Sequence, residues 1–78
     1  MVKGYILVIT KPGKEYEVAR EILKMSFVDD VDVTYGLWDL VVRVEAPSFT
    51  DLDKIISAIR SLKDIEQTAT LVSQEPTQ

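Results

Sequence analysis

Two short segments, "YILVI" at residues 5–9 and "LVVRV" at residues 40–44, constrain this chain more than any others. Both are rich in β-branched or aromatic side chains and read as strands. A strand with one face in water alternates apolar and polar residues, whereas a strand covered on both faces is continuously apolar. The first segment is apolar on both faces and the second is nearly so. Each must be covered from two sides, and the chain has only 78 residues with which to do it. A domain of this size hides about 60% of its unfolded surface and is marginal alone. With no cysteine to form a disulfide, the remaining way to reinforce it is oligomerisation.

The rest of the chain supplies one cover. Residues 2–10 form the first strand, and Pro12 and Gly13 in "KPGK" break it. Val18, Ala19, Ile22 and Leu23 then recur at helical spacing, with Glu15, Glu17, Arg20, Glu21 and Lys24 on the other face. This predicts an amphipathic helix over about residues 14–25. Val31, Val33 and Tyr35 alternate with Asp32 and Thr34 as a half-buried strand that ends at Gly36. Leu40 to Val44 follows so soon that the two strands pair as a hairpin, and Pro47 closes the third strand. Ser48 and Asp51 have the spacing of a capping box, with Asp in place of Glu. Leu52, Ile55, Ile56 and Ile59 form the buried stripe of a second helix, ended by "SLKD". Ile65, Ala69, Leu71 and Val72 make the last strand. The domain is expected over residues 1–73, with a flexible polar tail at 74–78.

The order βαββαβ predicts an α+β, ferredoxin-like fold: a four-stranded antiparallel sheet with two helices on one face. Right-handed crossovers place the first and third strands in the centre. The helices cover one face of these strands, and the other face calls for a second copy. The expectation is a homodimer packed through its sheets, a dimeric α+β barrel-like arrangement.

Charge and composition exclude several functions. Nine Lys and Arg against thirteen Asp and Glu, for a net charge of -4, do not form the basic stripe of a nucleic-acid binder. The longest apolar run, residues 5–9, is far short of a membrane span, and no signal-peptide pattern precedes it. The expectation is a soluble, cytoplasmic protein that contacts neither nucleic acid nor membrane directly. There is no histidine, hence neither the commonest metal ligand nor the commonest general base. Ser26, Ser48, Ser57, Ser61 and Ser73 have no visible base partner. Asp29, Asp30 and Asp32 in "VDDVDV" lack the spacing of a calcium loop and read as a solvated turn before the second strand. "KPGK" lacks the glycine pattern of a phosphate loop and reads as a plain turn. No catalytic residue, metal site or cofactor is expected.

"TYGLWDL", residues 34–40, holds the one carboxylate that a turn does not obviously explain. Asp39 either caps the hairpin through its own backbone or receives something. Thr68 and Thr70 in "QTAT" point to one side of the last strand, because strand side chains alternate. Two hydroxyls, a carboxylate and a glycine backbone are a suitable set for a small zwitterion, and spacing alone does not show that they converge.

These segments together, "KPGKEYEVAREIL", "TYGLWDLVVRVEA" and "IEQTATLV", resemble the ligand-binding domain of the Lrp/AsnC family of feast/famine transcription regulators over about residues 2–72. Gly36 and Asp39 match its G-x-x-D motif, and Thr68 and Thr70 match its T-x-T. The resemblance implies dimers joined through their sheets, assembly into rings such as tetramers of dimers, and amino-acid effectors held in clefts between dimers. It implies that Gly36 offers backbone N–H, Asp39 receives an ammonium group, and Thr68 and Thr70 supply hydroxyls. Tyr35, Leu37 and Trp38 would shape the pocket wall or the dimer–dimer contact. Family members usually carry an N-terminal helix-turn-helix domain, and this chain starts directly at its first strand. The expected function is therefore an effector-binding, oligomerising module that acts without its own DNA-binding domain, through full-length relatives. A structural interaction domain with no ligand, or a small dimeric ferredoxin-like enzyme, are the other readings of the residues.

Overall fold

The computed structural model describes residues 1–74, so residues 75–78 of the expected tail lie outside the described part. The elements are β1 (Val2–Thr10), α1 (Glu15–Leu23), β2 (Val28–Val33), β3 (Leu40–Ala46), α2 (Phe49–Arg60) and β4 (Ile65–Val72). The sheet order is β2-β3-β1-β4, and every neighbouring pair is antiparallel. This is the βαββαβ, ferredoxin-like α+β fold expected, with the first and third strands in the centre.

Strand register sorts the side chains between two faces. Gly4, Ile6 and Val8 of β1 lie opposite Val44, Val42 and Leu40 of β3, and opposite Val72, Thr70 and Thr68 of β4. Cross-strand partners share a face, so these residues form one side of the sheet. Val18, Ala19 and Ile22 of α1 and Leu52, Ile55 and Ile59 of α2 are buried against it. Ile6, Val8, Ile22, Leu40, Val42, Val44 and Ile59 have no exposed surface. Gly4 lets α2 sit close, since a Cβ there would stand 3.2 Å from Leu52 Cδ1.

The helix ends follow local chemistry. Ser48 has extended backbone, and its Oγ accepts from Asp51 N at 3.2 Å while donating to Asp51 Oδ2 at 2.9 Å. The capping residues thus meet as their spacing suggested, with the shorter Asp side chain taking the Ser hydroxyl. α1 has no side-chain cap. Glu15 and Glu17 in its first turn complement the positive end of its dipole instead.

The second strand departs from expectation. It begins at Val28 and not Val31, and stops at Val33 before Tyr35. Phe27 is the cause. Its φ of 68° swings the chain out of α1 without a glycine, and its carbonyl accepts Glu45 N at 3.0 Å. Pairing with β3 then starts at once, with Val28 opposite Val44 and a register shift before Asp30. The aspartate run is therefore strand, not turn. Asp30 and Asp32 face Arg43 and Val41 across the ladder, while Val31 and Val33 lie opposite Val42 and Leu40.

The second face of the sheet carries Tyr5, Leu7, Ile9, Val41, Ala69 and Leu71, with Arg43, Gln67, Asp30 and Asp32 beside them, by the same register. Tyr5 is 37% exposed and Leu71 56%. Lys3 and Glu45 form a 3.8 Å ion pair at one end of this face. No helix among the described residues is long and apolar enough to cross a membrane.

If the core lies where these faces place it, Ile22→Ala will cost about 2–5 kcal/mol in urea unfolding. Leu23→Ala, at the half-exposed neighbour, will stay within about 0.5 kcal/mol. Equal losses would mean that α1 docks by a different face.

Candidate functional site

The turn between β2 and β3 is held by backbone and side-chain hydrogen bonds at its base. Thr34 N donates to Asp39 O at 2.9 Å, and Thr34 Oγ1 donates to Trp38 O at 2.7 Å. Gly36 sits at the tip with φ of 114°, a left-handed conformation that other residues rarely adopt. A Cβ there would touch nothing within 4 Å, so glycine is required by backbone shape and not by space. Tyr35 and Leu37 project into solvent, at 106% and 88% exposure, and Trp38 is half-buried.

The side chain of Asp39, unlike its carbonyl, does not close its own turn. Its Oδ2 accepts from Thr10 N, the last residue of β1, at 2.9 Å, with the Thr10 hydroxyl at 3.5 Å. Its own N donates to Val8 O at 2.9 Å. Thr10 is 3% exposed, so its N–H lies where an acceptor is needed and water is scarce. The carboxylate thereby ties the hairpin to the end of the central strand. Its other oxygen, Oδ1, has no hydrogen-bond partner among the described residues, and Asp39 is half-buried.

A cavity of about 400 Å³ opens against this turn, lined by Glu15, Tyr16, Val33, Thr34, Tyr35, Gly36 and Asp39. That volume falls in the range of small-molecule pockets. Three of the predicted residues, Tyr35, Gly36 and Asp39, meet here. Leu37 and Trp38 lie in the same turn, outside the lining. Thr68 and Thr70 stand elsewhere. They do share a side of β4, as alternation predicted, opposite Val8 and Ile6. Yet β1 separates them from β3, and Thr68 lines another depression with Arg60, Ile65, Glu66 and Gln67. Within one protomer the two motifs do not face one another.

Sequence reading missed Thr10, Glu15 and Tyr16. Glu15 read as the wet face of α1 and Tyr16 was assigned to neither face, and only the short "KPGK" turn brings them beside Gly36. The turn is closed by Lys14 N donating to Lys11 O at 3.0 Å, with Lys11 N donating to Asp64 O at 2.9 Å. These bonds make it a strand-to-helix connection, as read.

Residues 3–77 match the model of the Lrp/AsnC ligand binding domain. The chain belongs to that family. Domains of this family are regulatory and non-enzymatic, and they typically dimerise. The crystal structure of FFRP-DM1 superposes with a TM-score of 0.89 at 40% identity, covering 94% of this chain and 99% of that one. A hypothetical protein from Pyrococcus horikoshii, PHS023, gives a TM-score of 0.90 at 39% identity, covering 97% and 93%. The HTH-type transcriptional regulator FL11 of Pyrococcus furiosus is 28% identical over 71 residues, which are 91% of this chain and 47% of FL11. The chain thus spans about half the length of the curated relatives it matches, and nearly all of two small solved proteins.

Two substitutions separate the structural duty of Asp39 from any other. Asp39→Ala leaves the buried Thr10 N–H without its acceptor and will lower stability by about 1–3 kcal/mol. Asp39→Asn keeps an acceptor oxygen and will lose about 1 kcal/mol less. Equal stabilities of the two variants in urea unfolding would rule out the Thr10 bond as a stabilising contact.

Proposed function

We propose that this chain is a small-molecule effector-binding and oligomerisation module of Lrp/AsnC-type transcription regulation, with an amino acid as effector. The observation that carries the reading is Asp39, a carboxylate with one oxygen committed to Thr10 and one left open, on the wall of a cavity beside Gly36. An ammonium group wants such a fixed anionic acceptor. The carboxylate of the effector wants N–H and O–H donors, which the Gly36 backbone and the hydroxyls of Thr68 and Thr70 supply. Because Thr68 and Thr70 lie across β1 from the turn, their contribution comes from another copy. Tyr35, Leu37 and Trp38 belong to the same contact: two solvent-facing side chains and a half-buried indole are the kind of anchor an interface uses.

Assembly follows from the second sheet face. Tyr5, Leu7, Ile9, Val41, Ala69 and Leu71 form an apolar strip, edged by Arg43, Asp30 and Asp32, that a second copy covers, giving a homodimer, and dimers joined at their turns give larger rings such as tetramers of dimers. The module's output passes through full-length Lrp/AsnC regulators with which it co-assembles in the cytoplasm. The acidic balance, nine basic against thirteen acidic residues, suits protein partners better than direct contact with DNA.

Trp38 is the single tryptophan of the chain and reports on the turn directly. Titration with a panel of amino acids at about 10 mM should raise the melting temperature and change Trp38 emission for a selective subset. Saturation at 100 times the dissociation constant corresponds to about 2.7 kcal/mol of added stability. Asp39→Asn, which keeps the Thr10 acceptor and removes the charge, should abolish the shift. A panel with no response would move the reading to an interaction domain without ligand. For assembly, sedimentation should give a dimer or larger species at micromolar concentration, and Leu7→Asp on the open face should give a folded monomer. A wild-type monomer under those conditions would refute the sheet-to-sheet dimer.

A further inference from the structure

Resting on the reading of Asp39 as the ammonium acceptor, we propose that Glu15 selects the effector's side chain and that the effector is an amino acid with a cationic side chain, an ammonium or a guanidinium.

The cavity wall carries two charged groups, and both are carboxylates: Glu15 and Asp39. No Lys or Arg lines it. Glu15 opens α1, where an acidic residue is already favoured by the helix dipole, so its presence there means little by itself. Its surroundings are what count. Glu15 is half-buried, yet it forms no ion pair and accepts no side-chain hydrogen bond among the described residues. The neighbouring cation is committed elsewhere, since Lys14 Nζ lies 3.7 Å from Glu17 Oε2. The other acidic residues of α1 are both paired, Glu17 with Lys14 and Glu21 with Lys24. Glu15 is the one left facing the cavity.

Tyr16 and Tyr35 complete the wall. Both rings are largely exposed, at 65% and 106%, and an aromatic face attracts a cation brought over it. Two carboxylates and two phenol rings around a cavity of about 400 Å³ are matched to a ligand with two positive groups and one negative. The α-ammonium takes Asp39 Oδ1, and the side-chain cation takes Glu15. A neutral side chain would cover Glu15 without pairing it, which leaves a carboxylate partly desolvated at a cost. An acidic side chain would add like-charge repulsion to that cost. The cavity therefore discriminates as much by what it rejects as by what it holds. The ligand's own carboxylate finds no cation on this wall, so its donors come from the turn backbone and the Thr68–Thr70 side of another copy.

The test is a Trp38 emission and calorimetric titration of the full chain with L-lysine, L-arginine, L-norleucine, L-glutamine and L-glutamate, repeated on Glu15→Gln and Glu15→Asp. The expected result is that lysine or arginine binds at least about tenfold tighter than norleucine, a difference of about 1.4 kcal/mol, with glutamate weakest. Glu15→Gln should erase that preference, weakening lysine and arginine and tightening norleucine, and Glu15→Asp should restore part of it. If norleucine or glutamine binds as tightly as lysine, or if Glu15→Gln keeps the preference, the assignment of Glu15 is overturned and the Asp39 site still stands. If none of the five binds, the Asp39 site falls as well.

Discussion

Every other element is positioned by β1. It is hydrogen-bonded along both edges, to β3 on one side and β4 on the other, so it carries the sheet's only continuous connection between the hairpin half and the C-terminal half. Its helix-facing residues, Gly4, Ile6 and Val8, are fully buried. Its last residue, Thr10, lies opposite Ile65 of β4 across a register shift after Ile9, and its buried N–H is taken by a side chain. Asp39, just ahead of the neighbouring β3, supplies the acceptor. A single carboxylate therefore satisfies the end of the central strand and fixes the turn that bears Gly36. The cost of a bare buried N–H is enough to explain an aspartate at this position on structural grounds alone.

That double duty also explains which parts of the molecule could be read in advance. Element order, the central placement of β1 and β3, and the buried stripes of both helices rest on periodicity and chain connectivity, which are local or topological and so visible in the residues. The Ser48–Asp51 cap rests on a spacing of three and was equally legible. The start of β2 was not, because it depends on Phe27 holding a left-handed backbone that its side chain gives no reason to adopt. The three aspartates after it then looked like a turn, since charge on a strand is unexpected until Arg43 is known to lie opposite Asp30.

The site was legible to a lesser degree. Asp39 stands out as a carboxylate that its turn does not obviously explain, whereas the pocket roles of Gly36 and Tyr35 enter only through the resemblance to the family. Thr10 does not stand out, because its bond to Asp39 spans 29 residues and nothing local marks it. Glu15 and Tyr16 were hidden for a related reason: Glu15 read as solvent face and Tyr16 was assigned to neither face, and only the tight turn at Gly13, with φ of 81°, swings them over the hairpin. Thr68 and Thr70 present the opposite case. Their shared orientation was evident from alternation, and their separation from Asp39 by the width of β1 required the sheet order.

That separation has a mechanistic consequence under the proposed function. A ligand can shift an assembly only by its differential affinity for the associated and separated states. If one protomer held the whole site, effector binding and oligomerisation could proceed independently, and coupling would need some further device. With the carboxylate and the hydroxyls on opposite sides of β1, a ligand that uses both must bridge two copies. Its full affinity then exists only in the assembly, and binding and association become one equilibrium. By linkage, whatever promotes association must tighten ligand binding by the same factor. A partner regulator presenting the matching half of the site would compete for the same turn, so the effector's identity and the choice of partner would be set at one surface.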